Sequence, residues 1–234
     1  MSSRLELPPF HLRLLAAGRT VCERHGLWLA GGYAMRAHGI TDRPSQDLDF
    51  ATAAETPLPE VASDVAAEFR RLGFTVALLE TTPRQGRLVV TDEVTGQACE
   101  IDLLREALQD QPMLMELCPV IGLDDAVGMK VRALHGRGMP RDFIDVAAVS
   151  DLYGHRDLER LGALHEEDFR LQDLVDRLET VDLLADEAFA AYGLDDEGVR
   201  RIRGFAHAWA EDIKLRRSDD GDLDGEDFDL PEVD

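Results

Sequence analysis

Lysine is almost missing from this chain: Lys130 and Lys214 stand beside 23 arginines. Basic residues as a whole are scarce, 25 against 47 acids, for a formal charge of −22. So negative a chain is excluded as a generic coat for nucleic acid, because sequence-independent affinity for phosphate comes from Lys and Arg. No apolar run approaches the ~18 residues of a membrane span. The first ten residues, MSSRLELPPF, lack the apolar stretch of a secretory signal, so a cytoplasmic location is expected. Cysteine is limited to Cys22, Cys99 and Cys118, odd in number and widely spaced, which excludes a disulfide framework and a zinc knot. The histidines show no HxxxH or Cys/His spacing, and GxSxG and GxGxxG are absent. His11, His25, His38, His155, His165 and His207 receive no role, and no internal repeat appears.

What is present suffices for a core: 44% of the 234 residues are hydrophobic, enough for one domain or two small ones. The charge is uneven. Residues 218–234 hold nine acids and no Lys or Arg, leaving thirteen net negative charges elsewhere. Phe10, Leu14, Ala17 and Val21 predict a helix over 10–25, and Leu27–Ala30 reads as a buried strand stopped by Gly31-Gly32. A short helix from Tyr33 to His38 and a strand over 46–50 follow. Val61, Val65, Phe69 and Leu72 mark an amphipathic helix closed by Gly73. Strands are predicted at Phe74–Leu79, Arg87–Thr91 and Ala98–Leu104. Beyond residue 124 the pattern is helical to about 217, with Ile202, Phe205, Trp209 and Ile213 on one stripe. The fold class expected is α+β, a mixed sheet with flanking helices. The parts are a core over 1–123, a helical part over 124–217, and an acidic tail over 218–234 too poor in apolar residues to fold alone.

The chemistry concentrates after the Gly-Gly pair, at Asp47-Leu48-Asp49. Carboxylates at i and i+2 of a strand project from one face, their Cα atoms about 6.6 Å apart. Such a pair can share one divalent ion, or two. It can also be the solvated face of an ordinary strand. Asp is a poor strand former, and two in one short strand oppose local propensity, as functional sites often do. The strand at 98–104 offers Glu100 and Asp102 on its polar face. Asp102, deeper in the apolar run, is favoured as a third metal-binding and catalytic carboxylate if that strand pairs beside the first. Hard oxygen donors with a phosphate substrate favour Mg²⁺ or Mn²⁺. Gly31-Gly32 would let backbone approach a triphosphate closely.

A second cluster lies further on. Residues 130–141 hold Lys130, Arg132, Arg137 and Arg141 and no acid, an island of positive potential in an acidic chain. A rare Lys here reads as a point charge for a nucleotide phosphate, or as a core lysine snorkelling to solvent. Arg137 shares its face if the helix survives Gly136. Pro140 suits the start of the next helix. Arg141 is either basic support or an i, i+4 partner of Asp145, and Asp142 either functional or a first-turn acid.

Three segments together, LAGGYAMRAHGITDRPSQDLDF, CEIDLLR and LDDAVGMKVRALHGRGMPRDFIDVAAV, resemble the AbiEii/AbiGii-type nucleotidyltransferase toxins, within the DNA polymerase β-like superfamily. The similarity runs from about residue 10 to 152. It implies a Mg²⁺-dependent transfer of a nucleotide from an NTP to RNA, notably the tRNA 3′ end, counteracted by an antitoxin encoded nearby. It further implies that Asp47 and Asp49 hold metal and activate the acceptor hydroxyl, that Lys130 holds the NTP phosphates with Arg137 and Arg141 as basic support, and that Asp145 is a further catalytic carboxylate. Gly31-Gly32 would lie under the triphosphate. The superfamily commonly has Gly-Ser at that turn; here Gly32 and Tyr33 follow Gly31, and Ser45 is the candidate to supply the missing hydroxyl. Two alternatives stand beside this reading: a transferase acting on a small, cationic, aminoglycoside-like acceptor, which the acidity suits, and a decayed transferase that binds a nucleotide or partner.

Overall fold

The computed structural model describes residues 7–219, and the acidic-tail expectation lies outside them from residue 220 onward. The chain divides into two compact units, Met1–Ala126 and Val127–Asp234. Helix α4 (Leu123–Gly136) carries the point of division, three residues beyond the expected boundary.

The first unit is a five-stranded mixed sheet with helices. Its elements are α1 (Pro9–Arg24), β1 (Trp28–Leu29), α2 (Gly31–Ala37), β2 (Leu48–Thr52), α3 (Leu58–Arg71), β3 (Thr75–Thr81), β4 (Gln85–Asp92) and β5 (Gln97–Arg105). Strand order is β1-β2-β5-β4-β3. Only β2 and β5 run parallel; the other neighbours are antiparallel. Prolines set the starts of α1 and α3, where a missing N–H costs nothing. Leu58, Val61, Ala62, Val65 and Phe69 then give α3 one apolar face. Leu14, Gly18 and Cys22 of α1 and Val65 and Phe69 of α3 meet Leu48, Phe50, Ile101 and Leu103 of the sheet. With that face covered, the alternating residues Asp49, Glu100, Asp102 and Arg87 lie on the other face, partly exposed.

The Gly-Gly pair is placed differently from its sequence reading. It is the first turn of α2 itself, not a turn ahead of it. Ala30 is extended, and its carbonyl accepts the Ala34 N–H at 3.1 Å, so the helix is already under way at Gly31.

The second unit is helical: the remainder of α4, then α5 (Pro140–Ala147), α6 (His155–Ala163), α7 (Leu171–Glu179), a 3-10 turn (Thr180–Leu183), α8 (Asp186–Ala190) and α9 (Asp196–Asp219). Helices α4 and α6 approach closely through glycine: a Cβ at Gly128 would stand 2.5 Å from the Leu161 carbonyl oxygen. Ile202, Trp209 and Ile213 of α9 are buried, and Trp209 Nε1 donates to the buried Glu159 at 2.9 Å. Arg216 completes that pair from the last turns of α9. Among the described residues no helix is long and apolar enough to cross a membrane.

Gly31 joins fold to site. Its φ is +61°, and a Cβ there would stand 1.8 Å from Asp49 Oδ2. The left-handed backbone alone penalises any other residue by about 1–2 kcal/mol. Gly31→Ala should therefore lower the thermal midpoint by several degrees and turn the Asp49 carboxylate away; an unchanged melting curve would contradict this placement.

Candidate active site

Hydrophobic alternation fixes which side chains reach the open face of the sheet. Leu48, Phe50, Ile101 and Leu103 are buried, so the residues between them point the other way. The parallel register sets Asp49 opposite Asp102, and the antiparallel register sets Asp102 opposite Arg87. Asp49, Asp102 and Arg87 thus form one row across three strands. Asp47 stands just before β2, on the same side as Asp49, and Glu100 precedes Asp102 by two on β5. Arg87 grips Asp102 bidentately, Nε to Oδ1 at 2.7 Å and Nη2 to Oδ2 at 2.8 Å, and its Nε is 3.1 Å from Glu100. The Asp102 hydrogen bonds, foremost, raise the Arg87 guanidinium's affinity for its proton. Burial pushes the Glu100 carboxyl up; Arg87 opposes this, while Asp102, Asp47 and Asp49 add to it.

The start of α2 and the loop before β2 form a second wall. Asp49 lies against Gly31, and Ser45 Oγ stands 2.9 Å from where a Cβ on Gly32 would be. The space that a serine at 32 would fill is thus taken by the Ser45 hydroxyl. Buried Tyr33 ties this loop down, its hydroxyl donating to the Ser45 carbonyl at 2.9 Å. Having spent its proton there, Tyr33 accepts from His11 Nδ1 at 2.7 Å, which assigns the Nδ1–H to His11. Burial holds the His11 imidazole below its ordinary value, with Asp47 opposing. Burial likewise pushes the Tyr33 phenol up to about 12.

In the second unit the island of positive charge is matched by acids that lie outside residues 130–141. Lys130 Nζ meets Asp145 at 2.9 Å, and both side chains are almost wholly buried. Lys130 is therefore not snorkelling to water. Helix α4 ends at Gly136, so Arg137 lies beyond it. Arg137 grips the buried Asp142 with two bonds of 2.9 Å. Asp142 also accepts the Met139 N–H, the first-turn role open to it from the sequence. The i, i+4 pairing of Arg141 with Asp145 does not form, because Asp145 faces Lys130; Arg141 Nε is buried with no hydrogen-bond partner.

Among the described residues, no three His, Cys, Asp or Glu side chains converge closely enough to hold a metal ion. Of the expected trio of Asp47, Asp49 and Asp102, Asp102 is bonded through both oxygens to Arg87, which lies on its far side from Asp49. Asp47 and Asp49 are a pair of hard carboxylates on one partly exposed face. That donor set fits Mg²⁺, which is commonly held by one or two carboxylates together with substrate phosphates and water. Sequence reasoning missed Arg87, Tyr33 and His11. The signal for Arg87 was present: a hairpin turning at 93–96 pairs 87 with 102 by counting outward.

The sequence matches the family described as nucleotidyl transferase AbiEii toxin, Type IV TA system, over residues 13–229. No curated protein sequence matches. Among solved structures, JHP933 from Helicobacter pylori is similar at 16% identity and a TM-score of 0.53, covering 92% of this chain and 97% of that one. A nucleotidyltransferase structure from H. pylori, titled as putative, gives 16% and 0.54, with 90% and 99% covered. MenT4, a nucleotidyltransferase toxin from Mycobacterium tuberculosis, gives 16% and 0.53, with 90% and 88% covered. At that identity the structures speak for the fold alone, and they agree with the mixed sheet and flanking helices. The family match spans nearly the whole chain, both the carboxylate row and the Lys130–Asp145 pair included: this chain belongs to the AbiEii family of nucleotidyltransferase toxins.

Proposed function

We propose that the enzyme transfers a nucleoside monophosphate from an NTP to an RNA acceptor, the tRNA 3′ end, with Mg²⁺ as the metal, and that a neighbouring antitoxin restrains it. The observation that carries the chemistry is the in-register row of Asp49 and Asp102 on the open face of the sheet. Asp47 and Asp49 would hold the ion, which when bound screens the phosphate charge. In the reaction the acceptor oxygen bonds to the α-phosphorus as the bond to the β-phosphate oxygen breaks. Pyrophosphate leaves, and the hydroxyl proton passes to a carboxylate of this face. Gly31, Gly32 and the Ser45 hydroxyl would line the triphosphate. Lys130, steadied by Asp145, would supply a phosphate-binding charge, with Arg137 and the incompletely bonded Arg141 as further donors.

A small cationic acceptor is favoured by one observation: four carboxylates, Asp47, Asp49, Glu100 and Asp102, stand close enough together to act on one another's charge. One screen separates the readings. With labelled NTPs, Mg²⁺, total tRNA and small aminoglycoside acceptors, label is expected on tRNA, and tRNA affinity should fall steeply with salt. Asp49→Ala should reduce transfer by on the order of 10²–10³. Transfer that survives in Asp49→Ala would sink the assignment, and label found only on the small acceptor would overturn the RNA reading.

Ser45 provides a finer test. Losing one hydrogen bond to a charged phosphate costs about 1.5–3 kcal/mol, so Ser45→Ala should raise the KM for NTP about tenfold or more with folding intact. An unchanged KM would remove Ser45 from the nucleotide site.

A further inference from the structure

Residues 41–46, which lead toward β2, adopt neither helix nor strand, yet Ser45 Oγ lies 2.9 Å from where a Cβ on Gly32 would be. Side chains must therefore help to hold this loop. From the sheet, the Cys99 thiol, a weak donor, stands 4.0 Å from the Gln46 carbonyl oxygen. The firmer hold comes from α2, where the Tyr33 hydroxyl donates to the Ser45 carbonyl at 2.9 Å. Tyr33 is 2% exposed, so phenylalanine would fill the same space. A buried hydroxyl is costly unless it is hydrogen-bonded, and this one is bonded twice. It donates to Ser45 and accepts from the buried His11 Nδ1 at 2.7 Å, tying α1, α2 and the loop together. The Ser45 carbonyl and Oγ belong to one residue, so fixing the first limits where the second can stand. Asp47 is secured differently: it adjoins Leu48, which is buried and paired with Ile101 on β5.

We propose that the Tyr33 hydroxyl is a positioning group for nucleotide binding. It fixes the backbone at residue 45 so that the Ser45 hydroxyl meets the triphosphate beside Gly32, and His11 holds the phenol in that orientation. Tyr33 acts through Ser45 and does not itself touch the nucleotide. This inference rests on the reading that Gly32 and Ser45 line the triphosphate. Its loss weakens nucleotide binding and spares the chemical step, because Asp47 keeps its place at the strand.

Steady-state transfer from labelled NTP by the full chain, to the acceptor found in the labelling screen, tests this with Tyr33→Phe, Ser45→Ala and the double variant. Tyr33→Phe, which keeps the ring, should raise the KM for NTP about five- to tenfold and leave kcat within about twofold. In the Ser45→Ala background the same change should alter KM by less than about twofold, because no hydroxyl is left to position. With KM raised in Ser45→Ala, an unchanged KM in Tyr33→Phe, a tenfold fall in its kcat, or fully additive effects in the double variant would each overturn the positioning role and leave nucleotide transfer standing. An unchanged KM in Ser45→Ala would instead remove Ser45 from the nucleotide site and the role of Tyr33 with it. Should Tyr33→Phe fail to fold, His11→Leu, which leaves the phenol in place, takes its position in the same cycle. A rise in KM that vanishes in the Ser45→Ala background is then expected, and an unchanged KM overturns the role.

Discussion

The parallel pairing of β2 with β5 sets Leu48 against Ile101 and Phe50 against Leu103 on the covered face. Alternation leaves no choice for the residues between. Asp49 and Asp102 must then meet on the opposite face, because a slip of one residue would bury the acids and expose the leucines. Burying those apolar side chains stabilises the register by roughly 1.5–3 kcal/mol each, against which the repulsion of two half-exposed carboxylates is a modest cost. The packing of α1 and α3 on one side of the sheet therefore holds the chemical groups on the other side.

The second consequence is electrostatic. Burial, and then the charges of Asp102, Asp47 and Asp49, push the Glu100 carboxyl toward its neutral form. Arg87 opposes this at Glu100 and is bonded to Asp102 beside it. The second unit repeats the pattern in the opposite sense: Lys130 and Arg137 are each matched to a fully buried carboxylate, Asp145 and Asp142. The matched pairs hold the cations in fixed positions. The charge of −22 is thus a poor guide to any substrate, since the groups that would meet a nucleotide are set by pairs a few ångströms across.

Much of the fold was legible from periodicity. All five strands appear near their expected positions, and the helices from 124 onward follow the apolar stripe that ends in Trp209 and Ile213. Alternation put Glu100 and Asp102 on one face, but their meeting with Asp49 was expected only if the two strands paired, which they do, with Asp102 opposite Asp49. What escaped was contact at longer range. The island at 130–141 looked unneutralised because its partners, Asp142 and Asp145, follow it by a few residues and turn back toward it. Gly31-Gly32 read as a turn because two glycines weaken a helix, whereas Gly31 is needed for its positive φ and for the approach of Asp49. His11 received no role because its spacing matched no motif; its hydrogen bond to Tyr33, 22 residues away, depends on how α1 and α2 meet.

The central claim is that the open face bearing Asp47 and Asp49, walled by Gly31 and Ser45, is where nucleotide and metal bind. A crystal structure with Mn²⁺ and a non-hydrolysable NTP, with the ion located by its anomalous scattering, tests this most directly. The account predicts an anomalous peak between the Asp47 and Asp49 carboxylates, with the triphosphate alongside Gly31, Gly32 and Ser45 Oγ. Nucleotide bound elsewhere on the chain, with those two carboxylates bare of metal, would contradict it.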